Sequence, residues 1–506
     1  MADNAKLLIQ QAISACPNDA MMTNAVNWPL LRKALEATAG GAVETDANNQ
    51  PYVVGADGRP VLIGTNQKNT AVHAGDSRAA QGFVDETITA GNYTGGYTSR
   101  NWYQWLVALA GQPLRLIQSA GVGGDTTTLF VARQNNAAGG SLFGKLSSPG
   151  WVQHRPGWLF MSLGINDVTG GVPTAASIAN ARLILSKAQQ TRTIVVWPTE
   201  TPVGPAGTQL GASAPLLAAW NSELQGLRSE FPNLIVPDCY TAFIDPATGL
   251  CRAGLHNDSS GIHVHYNNAG ALLFAQTVYS AIANLLPSTG FPLASNASEL
   301  ISSNPSINQY QVNPLFSGAT VTDALQSAIA FGAGATGTAT LIPDPLGYGN
   351  AIQVDVTYTG ASSAYTLLGL KQSASNFVGG ESVVGAVHVR CGAPGAAPGA
   401  LLPLDASRSV RVPEHLLNIT DAVAAGGTAN SRQSLMYSTN DAGLVSGFDL
   451  VSLTPAYKLK AGVPQSVQQM IYLRGTAAGS GPVRWIVSQP TIRRIPEFSD
   501  AWLPFL

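Results

Sequence analysis

The chain has 506 residues, of which only 11% are charged, and its formal net charge is −2. This length predicts one to three domains with a large core. The balanced charge argues against a nucleic-acid-binding surface, and no apolar run reaches the roughly 18–20 residues of a membrane span.

The composition favours a β-rich extracellular type of protein, because glycine (53) and proline (31) are abundant. The four cysteines, Cys16, Cys239, Cys251 and Cys391, are scattered, and we expect free thiols, although Cys239 and Cys251 are close enough in sequence to bridge a short loop. The first residues lack the basic start and apolar core of a signal peptide, so we expect synthesis in a cytoplasm without export by the usual route.

Residues 1–64 are predicted to form an N-terminal adaptor or arm. The segments Asn4–Cys16 and Trp28–Ala39 have the pattern of amphipathic helices, and residues 61–63 have that of a short strand. The region is too short and too polar for a core of its own.

Residues 65–290 alternate between strand and helix patterns, which predicts a parallel sheet with helices on both faces. The predicted strands are Thr70–Ala74, Leu114–Gln118, Trp158–Ser162, Thr193–Trp197 and Leu234–Pro237. The predicted helices are Asn101–Ala110, Ala175–Thr191, Ser213–Phe231 (with Ser213 as N-cap) and Asn268–Leu286. In open sheets of this class, ligands bind beyond the carboxyl ends of the strands.

Residues 291–312 are predicted to be a linker, and residues 313–506 a β-sandwich or jelly roll. Helical periodicity is nearly absent there, and alternating patterns take over. The clearest strand patterns are Ile352–Tyr358, Ser382–Val389, Gln469–Leu473 and Val483–Val487.

Chemistry-bearing residues follow the strands of the α/β region. The first strand is followed by Gly75-Asp76-Ser77, the second by Gly121-Val-Gly-Gly124-Asp-Thr, and the third by Gly164-Ile-Asn166-Asp167. The stretch from Asp258 to Gly270, which contains His263 and His265, lies at the start of the last helix. A serine, a glycine turn, an asparagine and an Asp/His block therefore meet at one edge of the sheet.

This set of residues suits acyl transfer. A serine on a tight strand-to-helix turn exposes its hydroxyl, and a histidine within hydrogen-bond reach can take its proton. Ser77 is the candidate nucleophile, and the N–H groups of Ser77 and Gly124 with the side-chain amide of Asn166 are candidate oxyanion donors.

The four blocks resemble the SGNH (GDSL-type) hydrolase superfamily, which includes esterases, lipases, thioesterases and carbohydrate O-acetylesterases. The resemblance covers about 220 residues. It implies a three-layer α/β/α, flavodoxin-like domain and a Ser-His-(Asp) mechanism. No cofactor is implied, and no His/Asp/Glu cluster has the spacing of a metal site.

The last block departs from the family pattern, in which Asp and His lie three residues apart. Ser260 precedes His263 by three residues and Ile262 precedes His265 by three, so neither histidine has its aspartate. His265 keeps the family spacing to Gly270, and one insertion after Asp258 explains the sequence. We therefore favour His265 as base with Asp258 as orienter. His263 is the alternative base, and a Ser-His dyad without an acid is also compatible with the family.

Several other polar residues have simpler interpretations. We expect Asp125 and Asp167 to stabilise turns, Asp76 to cap its own turn and His73 to be a satisfied core histidine. Asp238 is a fallback orienter. In the C-terminal region, the aromatic residues Tyr310, Tyr358, Tyr365, Tyr437 and Trp485 could stack on a sugar, but core or rim positions are the simpler expectation.

The order arm, hydrolase and β-module resembles a bacteriophage tail fibre or tailspike that deacetylates host surface polysaccharide. That architecture implies attachment to the virion through the arm, a homotrimer, and an acetylated polysaccharide as substrate, with no nucleic acid or membrane partner. The alternatives are a bacterial esterase or lipase acting on another ester, and a non-catalytic carbohydrate-binding protein with a decayed hydrolase fold.

Overall fold

In a computed structural model, the chain folds around one parallel sheet and two larger sheets. The structure describes residues 43–45, 51–54, 60–62, 69–81, 83–89, 92–135, 156–203, 213–257, 264–287, 291, 293–295, 311–325, 329–359, 365–370, 382–421, 429–436, 443–459, 465–476 and 481–495. The two helices predicted in the N-terminal arm lie outside these residues. In the arm, β1 (Val43–Thr45), β2 (Pro51–Val54) and β3 (Pro60–Leu62) form an antiparallel sheet.

The parallel sheet has five strands in the order β10-β9-β8-β4-β7. They are β4 (Thr70–Gly75), β7 (Arg115–Gly121), β8 (Trp158–Ser162), β9 (Ile194–Val196) and β10 (Leu234–Ile235). Numbered along the chain, this is the doubly wound order 2-1-3-4-5. The second strand is added on one side of the first and the third strand on the other, so the winding across the sheet reverses between the first and third strands. The reversal lies between β4 and β8, which pair in register from Ala71 with Trp158 to Gly75 with Ser162.

Helices cover both faces of this sheet, as the sequence predicted. The helices are α1 (Ser77–Ala80), α2 (Trp102–Leu109), α3 (Thr127–Asn135), α4 (Ile165–Thr169), α5 (Thr174–Gln190), α6 (Ala214–Gly226), α7 (Cys239–Ala242) and α8 (Asn268–Ile282). Alternate strand residues point to opposite faces. Ala71 and Phe160 pack in one core with α2 and α8, whereas Val72 and Met161 pack in a second core with α5 and α6.

The C-terminal region consists of two facing sheets and a short helix, α9 (Val321–Leu325). One sheet contains β12 (Ala335–Pro343), β13 (Asn350–Tyr358), β15 (Ser382–Pro394), β16 (Leu401–Leu402), β19 (Phe448–Leu453), β20 (Tyr457–Lys458) and β22 (Val483–Ile495). The other contains β11 (Ile329–Phe331), β14 (Tyr365–Gly369), β17 (Glu414–Asp421), β18 (Ala429–Met436) and β21 (Gln465–Arg474). Val354 and Trp485 of the first sheet share a buried core with Leu473 of the second. The predicted antiparallel β-region is therefore confirmed.

A hairpin from the α/β region completes the second of these sheets. Strands β5 (Phe83–Thr89) and β6 (Asn92–Thr98) follow α1, and β6 pairs in parallel with β18. The sequence analysis predicted no strand between Ala74 and Leu114. The hairpin is part of the sheet only because β18 supplies its partner, and that partner is more than 300 residues away in the sequence.

Most predicted elements agree with the structure to within a few residues, and the cysteines are free as expected, but two details differ. Ser213 stands at the N-cap of α6, yet its side chain makes no capping hydrogen bond because its backbone is already helical (φ −87°, ψ −8°). The predicted strand Leu234–Pro237 is reduced to two residues. Cys239 and Cys251 are both buried free thiols, as is Cys391. In the described part of the chain, no helix has the length and apolar character to cross a membrane.

Candidate active site

The turn after β4 places Ser77 at the edge of the sheet. Gly75 has φ +134°, and a Cβ at this position would lie 2.0 Å from the carbonyl oxygen of Ser162 on the neighbouring strand. Only glycine fits this conformation and this close approach. Asp76 donates its N–H to the Ser162 carbonyl (2.8 Å) and its carboxylate caps α1 by accepting from the N–H of Arg78 (2.9 Å). Ser77 is therefore the first residue of a capped helix and is half-buried.

His265 contacts the serine directly. The distance between Ser77 Oγ and His265 Nε2 is 2.8 Å, although the two residues are 188 positions apart in the sequence. The carbonyl of His265 accepts from the N–H of Asn257 (2.9 Å), and Asn267 caps the following helix α8 by accepting from the N–H of Gly270 (2.9 Å). Asp258 and the alternative base His263 lie outside the described residues.

The predicted oxyanion-hole residues lie in one group beside the nucleophile turn. Val122 donates its N–H to the carbonyl of Gly75 (3.0 Å), which brings the glycine turn against the end of β4. Gly124 has φ +80° and is exposed. The side-chain amide of Asn166 donates to the carbonyl of Asp125 (2.9 Å), the residue that follows Gly124. An amide has two N–H groups, so one is left for another acceptor.

Asp125 and Asp167 are structural acceptors, as the sequence analysis expected, whereas Asp238, the fallback orienter, serves as a helix cap instead. Asp167 accepts from the N–H (2.8 Å) and hydroxyl (2.6 Å) of Thr127 and from the hydroxyl of Ser177 (2.7 Å), which fixes the start of α3. Asp125 forms an ion pair with Arg133. Asp238 caps α7 by accepting from the N–H (3.1 Å) and hydroxyl (2.7 Å) of Thr241. These carboxylates are structural acceptors.

His73 is a core residue, as expected. Its Nε2 lies 3.1 Å from the hydroxyl of Ser162, and its ring stacks on Tyr103 with a 5.3 Å separation of centroids. Burial, with a smaller contribution from the charge of Arg78, lowers the pKa of His73 from 6.5 to about 3. His73 is therefore neutral at physiological pH, and its hydroxyl partner is Ser162, whereas Ser77 contacts His265.

The structure also shows a buried ionic network that the sequence analysis missed. Arg78 binds the carboxylates of Asp76 (2.7 Å) and Glu200 (2.6 and 2.9 Å), and it donates to the hydroxyl of Tyr266 (3.3 Å). Glu200 follows the fourth strand of the parallel sheet, so the rule that directed attention to the other strand ends applied here as well. Arg78 also follows a strand end, that of β4, and was likewise not singled out.

The sandwich aromatics occupy mainly core positions. Tyr358 and Trp485 are buried, with 2% and 0% exposure, so neither can stack on a sugar. Tyr365 packs against Tyr472 and the guanidinium of Arg474. Tyr310 and Tyr437 lie outside the described residues.

A cleft of about 230 Å³ is formed by residues other than Ser77. It lies between the α/β region and the β-region, and its walls include Tyr103, Gln112, Val384 and Leu453. Neither Ser77 nor His265 contributes to it, so the site is defined by the Ser77–His265 contact and not by this cleft. Among the described residues, no group of three or more His, Cys, Asp or Glu side chains is arranged to hold a metal ion.

Comparison with protein families agrees with this geometry. Residues 74–273 match the model of the GDSL-like Lipase/Acylhydrolase family. This match lies in the α/β region. The match confirms the resemblance inferred from the four motifs, and the protein is an ester-hydrolysing enzyme.

Solved structures are similar to part of the chain at low identity. The acetylxylan esterase Axe2 from Geobacillus stearothermophilus is 18% identical, with 42% of this chain and 93% of that one covered and a TM-score of 0.32. The acetyl xylan esterase AlAXEase is 17% identical, with 42% and 99% covered and a TM-score of 0.31. No curated protein matches the chain. The fold of the acylhydrolase domain follows from its own sheet order, not from these likenesses.

Proposed function

We propose that the protein is a serine esterase in which Ser77 is the nucleophile and His265 the general base. The observation that carries the proposal is the 2.8 Å contact between Ser77 Oγ and His265 Nε2. A general base must lie within about 2.6–3.2 Å of the group whose proton it takes, and this pair meets that condition. The geometry supports His265 over His263 as base.

The reaction follows from this pair. Ser77 Oγ attacks the ester carbonyl carbon while its proton passes to His265 Nε2. The resulting tetrahedral intermediate collapses as the C–O bond to the alcohol breaks, and the imidazolium returns the proton to the leaving oxygen. Water, deprotonated by His265, then attacks the acyl-enzyme, and the second collapse releases the carboxylic acid and restores the Ser77 hydroxyl.

We propose that three donors bind the developing oxyanion. They are the backbone N–H groups of Ser77 and Gly124 and the second N–H of the Asn166 side chain. The approach of the glycine turn to Gly75 and the bond from Asn166 to the Asp125 carbonyl support this assignment. Loss of one such donor costs about 3–4 kcal/mol in the barrier of comparable enzymes. Asp258 is proposed to orient His265.

The proposed substrate is an O-acetyl ester on a polysaccharide. The chain segments 134–150 and 199–211 are polar in sequence and contain no long apolar stretch suited to a lipase lid. Gly123 and Gly124, in the turn next to Ser77, carry no side chain that would crowd a bulky, hydroxyl-rich alcohol. The order arm, hydrolase and β-region supports a phage tail protein, attached through residues 1–64 and assembled as a homotrimer.

Hydrolysis of p-nitrophenyl acetate tests the chemistry. We expect Ser77→Ala and His265→Ala to lose on the order of 10³-fold or more in kcat with unchanged circular dichroism, because nucleophile and base act as one unit. His263→Ala should retain activity. Full activity in Ser77→Ala would overturn the catalytic proposal in favour of a binding protein, and loss of turnover only in His263→Ala would reassign the base.

Acetate release from intact bacterial surface polysaccharide tests the substrate. The wild-type protein should release acetate, and the matched sample stripped of its acetyl groups with mild alkali should yield none. Ser77→Ala is the enzyme control. If p-nitrophenyl acetate is cleaved but no acetylated capsule or O-antigen is, the proposed substrate class is wrong while the mechanism stands.

A further inference from the structure

The two residues of the proposed dyad are each followed by a member of one buried network. Arg78 comes directly after Ser77, and Tyr266 comes directly after His265. The guanidinium of Arg78 donates to the Tyr266 hydroxyl at 3.3 Å, so this bond joins the same two chain segments as the 2.8 Å Ser77–His265 contact. A shift of either segment would disturb both bonds.

Two carboxylates hold the guanidinium in place. Arg78 makes one two-pronged ion pair with Asp76, through Nε (3.1 Å) and Nη2 (2.7 Å), and another with Glu200, through Nη1 (2.6 Å) and Nη2 (2.9 Å). All three side chains are almost fully buried, with exposures of 0 to 5%. Burial alone would lower the pKa of Arg78, but the charges of Asp76 and Glu200 raise it well above its ordinary value. The cation is therefore permanent.

The network also includes the strand end that bears Glu200. The N–H and carbonyl of Glu200 bond to the side chain of Asn221 on α6 (2.8 and 2.9 Å), and the hydroxyl of Thr201 lies 3.2 Å from that of Tyr266. The guanidinium thus connects the nucleophile turn, the end of the fourth strand and the segment that carries the base. A displacement of about 1 Å between catalytic groups can cost about 100-fold in rate.

We propose that Arg78, held by Asp76 and Glu200, is a positioning residue that keeps Ser77 and His265 at hydrogen-bond distance through its contact with Tyr266. This inference rests on the proposed serine esterase mechanism. The planar guanidinium is needed, because a lysine ammonium cannot form two two-pronged ion pairs at once. The backbone of the turn does not depend on the guanidinium, because Asn101 donates to the carbonyl of Arg78 (2.9 Å). A substitution of the Arg78 side chain also leaves the glycine at position 75 in place.

Kinetics of Arg78→Lys, Glu200→Gln and Tyr266→Phe on p-nitrophenyl acetate test the proposal. We expect kcat to fall about 10- to 100-fold in Arg78→Lys and less in the other two, with KM changed by less than about threefold, because the substrate-binding surface is intact. The rate at which a fluorophosphonate labels Ser77 should fall in parallel with kcat. Because all three act through one network, the double variant Arg78→Lys/Tyr266→Phe should lose less than the product of the single losses.

The matched control is Arg182→Met. Arg182 also makes a two-pronged ion pair, with Glu230 (2.8 and 2.7 Å), but both side chains are more than 40% exposed and distant in sequence from the site. This variant should keep wild-type kcat and labelling rate.

The outcomes separate the two proposals. Activity in Ser77→Ala refutes the esterase mechanism itself. Wild-type kcat in a folded Arg78→Lys, with Ser77→Ala inactive, refutes the positioning role alone. Should Arg78→Lys fail to fold, Tyr266→Phe decides, because it removes one hydroxyl and keeps the ring packing against Phe243 and Phe274; wild-type kcat there refutes the proposal.

Discussion

The two helical layers that cover the parallel sheet differ in what lies behind them. In α5, on one side, the buried residues recur at helical spacing, as Ile178, Ala181 and Leu185 do, and the remaining residues face solvent. In α2, on the other side, every residue from Trp102 to Ala108 is buried. A helix that is buried all round needs a partner on each side, and the second partner of α2 is strand β19 of the C-terminal region.

The contact between α2 and the β-region is mainly apolar, and the residues on its two sides belong to one buried core. The ring of Trp105 meets Phe448 edge-on at 6.2 Å, and Phe448 in turn meets Trp485 at 5.8 Å. Gln112 donates to the carbonyl of Val451 across the same contact (3.0 Å). The site and this interface share α2, since its N-cap Asn101 binds the carbonyl of Arg78. The hydrolase region therefore depends on the β-region to bury the outer side of helix α2.

Removal of residues 291–506, at the predicted domain boundary, should have the largest effect. The outer side of α2 would face water. The hairpin β5–β6 would lose its pairing with β18, and an isolated hairpin is marginally stable at best in water. We expect an insoluble or unfolded fragment. Its esterase activity should be at least about 100-fold lower, because Ser77 and His265 would no longer be held in the geometry that the reaction needs. Solubility, circular dichroism and p-nitrophenyl acetate hydrolysis measure this.

Full-length Ser77→Ala serves as the folded, inactive control for that truncation. A soluble fragment of residues 1–290 with wild-type kcat and melting temperature would show that the β-region is a separable module.

The substitution Phe448→Ala should weaken the same interface without removing it. Truncation of a buried phenylalanine costs about 3–5 kcal/mol. If the regions unfold as one unit, circular dichroism and the esterase activity should be lost together at a lower temperature. Leu402→Ala, at a side chain that is 55% exposed, is the control and should change the free energy of unfolding by less than about 0.5 kcal/mol. Separate transitions for fold and activity in Phe448→Ala would contradict a shared core.

Local patterns predicted the parallel sheet and the four blocks at its edge. Strand β8 (Trp158–Ser162) agrees with its prediction to the residue, because a short apolar run bounded by turns is specified locally. The turn around Gly75 also follows from local chemistry. The hairpin β5–β6 was missed because its pairing is set by β18, which no nearby residue indicates.

Long-range contacts also explain why the sequence left the choice of base open and did not indicate the network around Arg78. Spacing favoured His265 over His263, and the 2.8 Å contact with Ser77 agrees with that choice. The contacts of Arg78 with Glu200 and Tyr266 span 122 and 188 residues, so no sequence window contains both partners. In isolation, an arginine after the serine has the pattern of an exposed turn residue.

The smallest expected effect concerns pH and compares one buried histidine from each region. Burial lowers the pKa of His73 to about 3, and burial lowers that of His415 to about 4, from an unfolded value of 6.5. Below pH 6.5 the unfolded chain takes up protons that the folded chain excludes, so stability present above pH 6.5 is lost as the pH falls towards these values. The free energy of unfolding should fall by about 2 kcal/mol per buried histidine between pH 7.5 and 5.

Urea unfolding of His73→Phe and His415→Phe at pH 7.5 and 5 measures this contribution. Both variants lose a hydrogen bond, to Ser162 and to Gln469 respectively, so both should be less stable than the wild type at pH 7.5. Their deficit should shrink by about 2 kcal/mol at pH 5, because phenylalanine does not titrate. If the α/β region and the β-region share one core, each substitution should move the same single transition, whether it is followed by tryptophan fluorescence or by activity. A deficit that is constant with pH would contradict the neutral buried histidines, and a shift in only one of two transitions would show that the regions unfold independently.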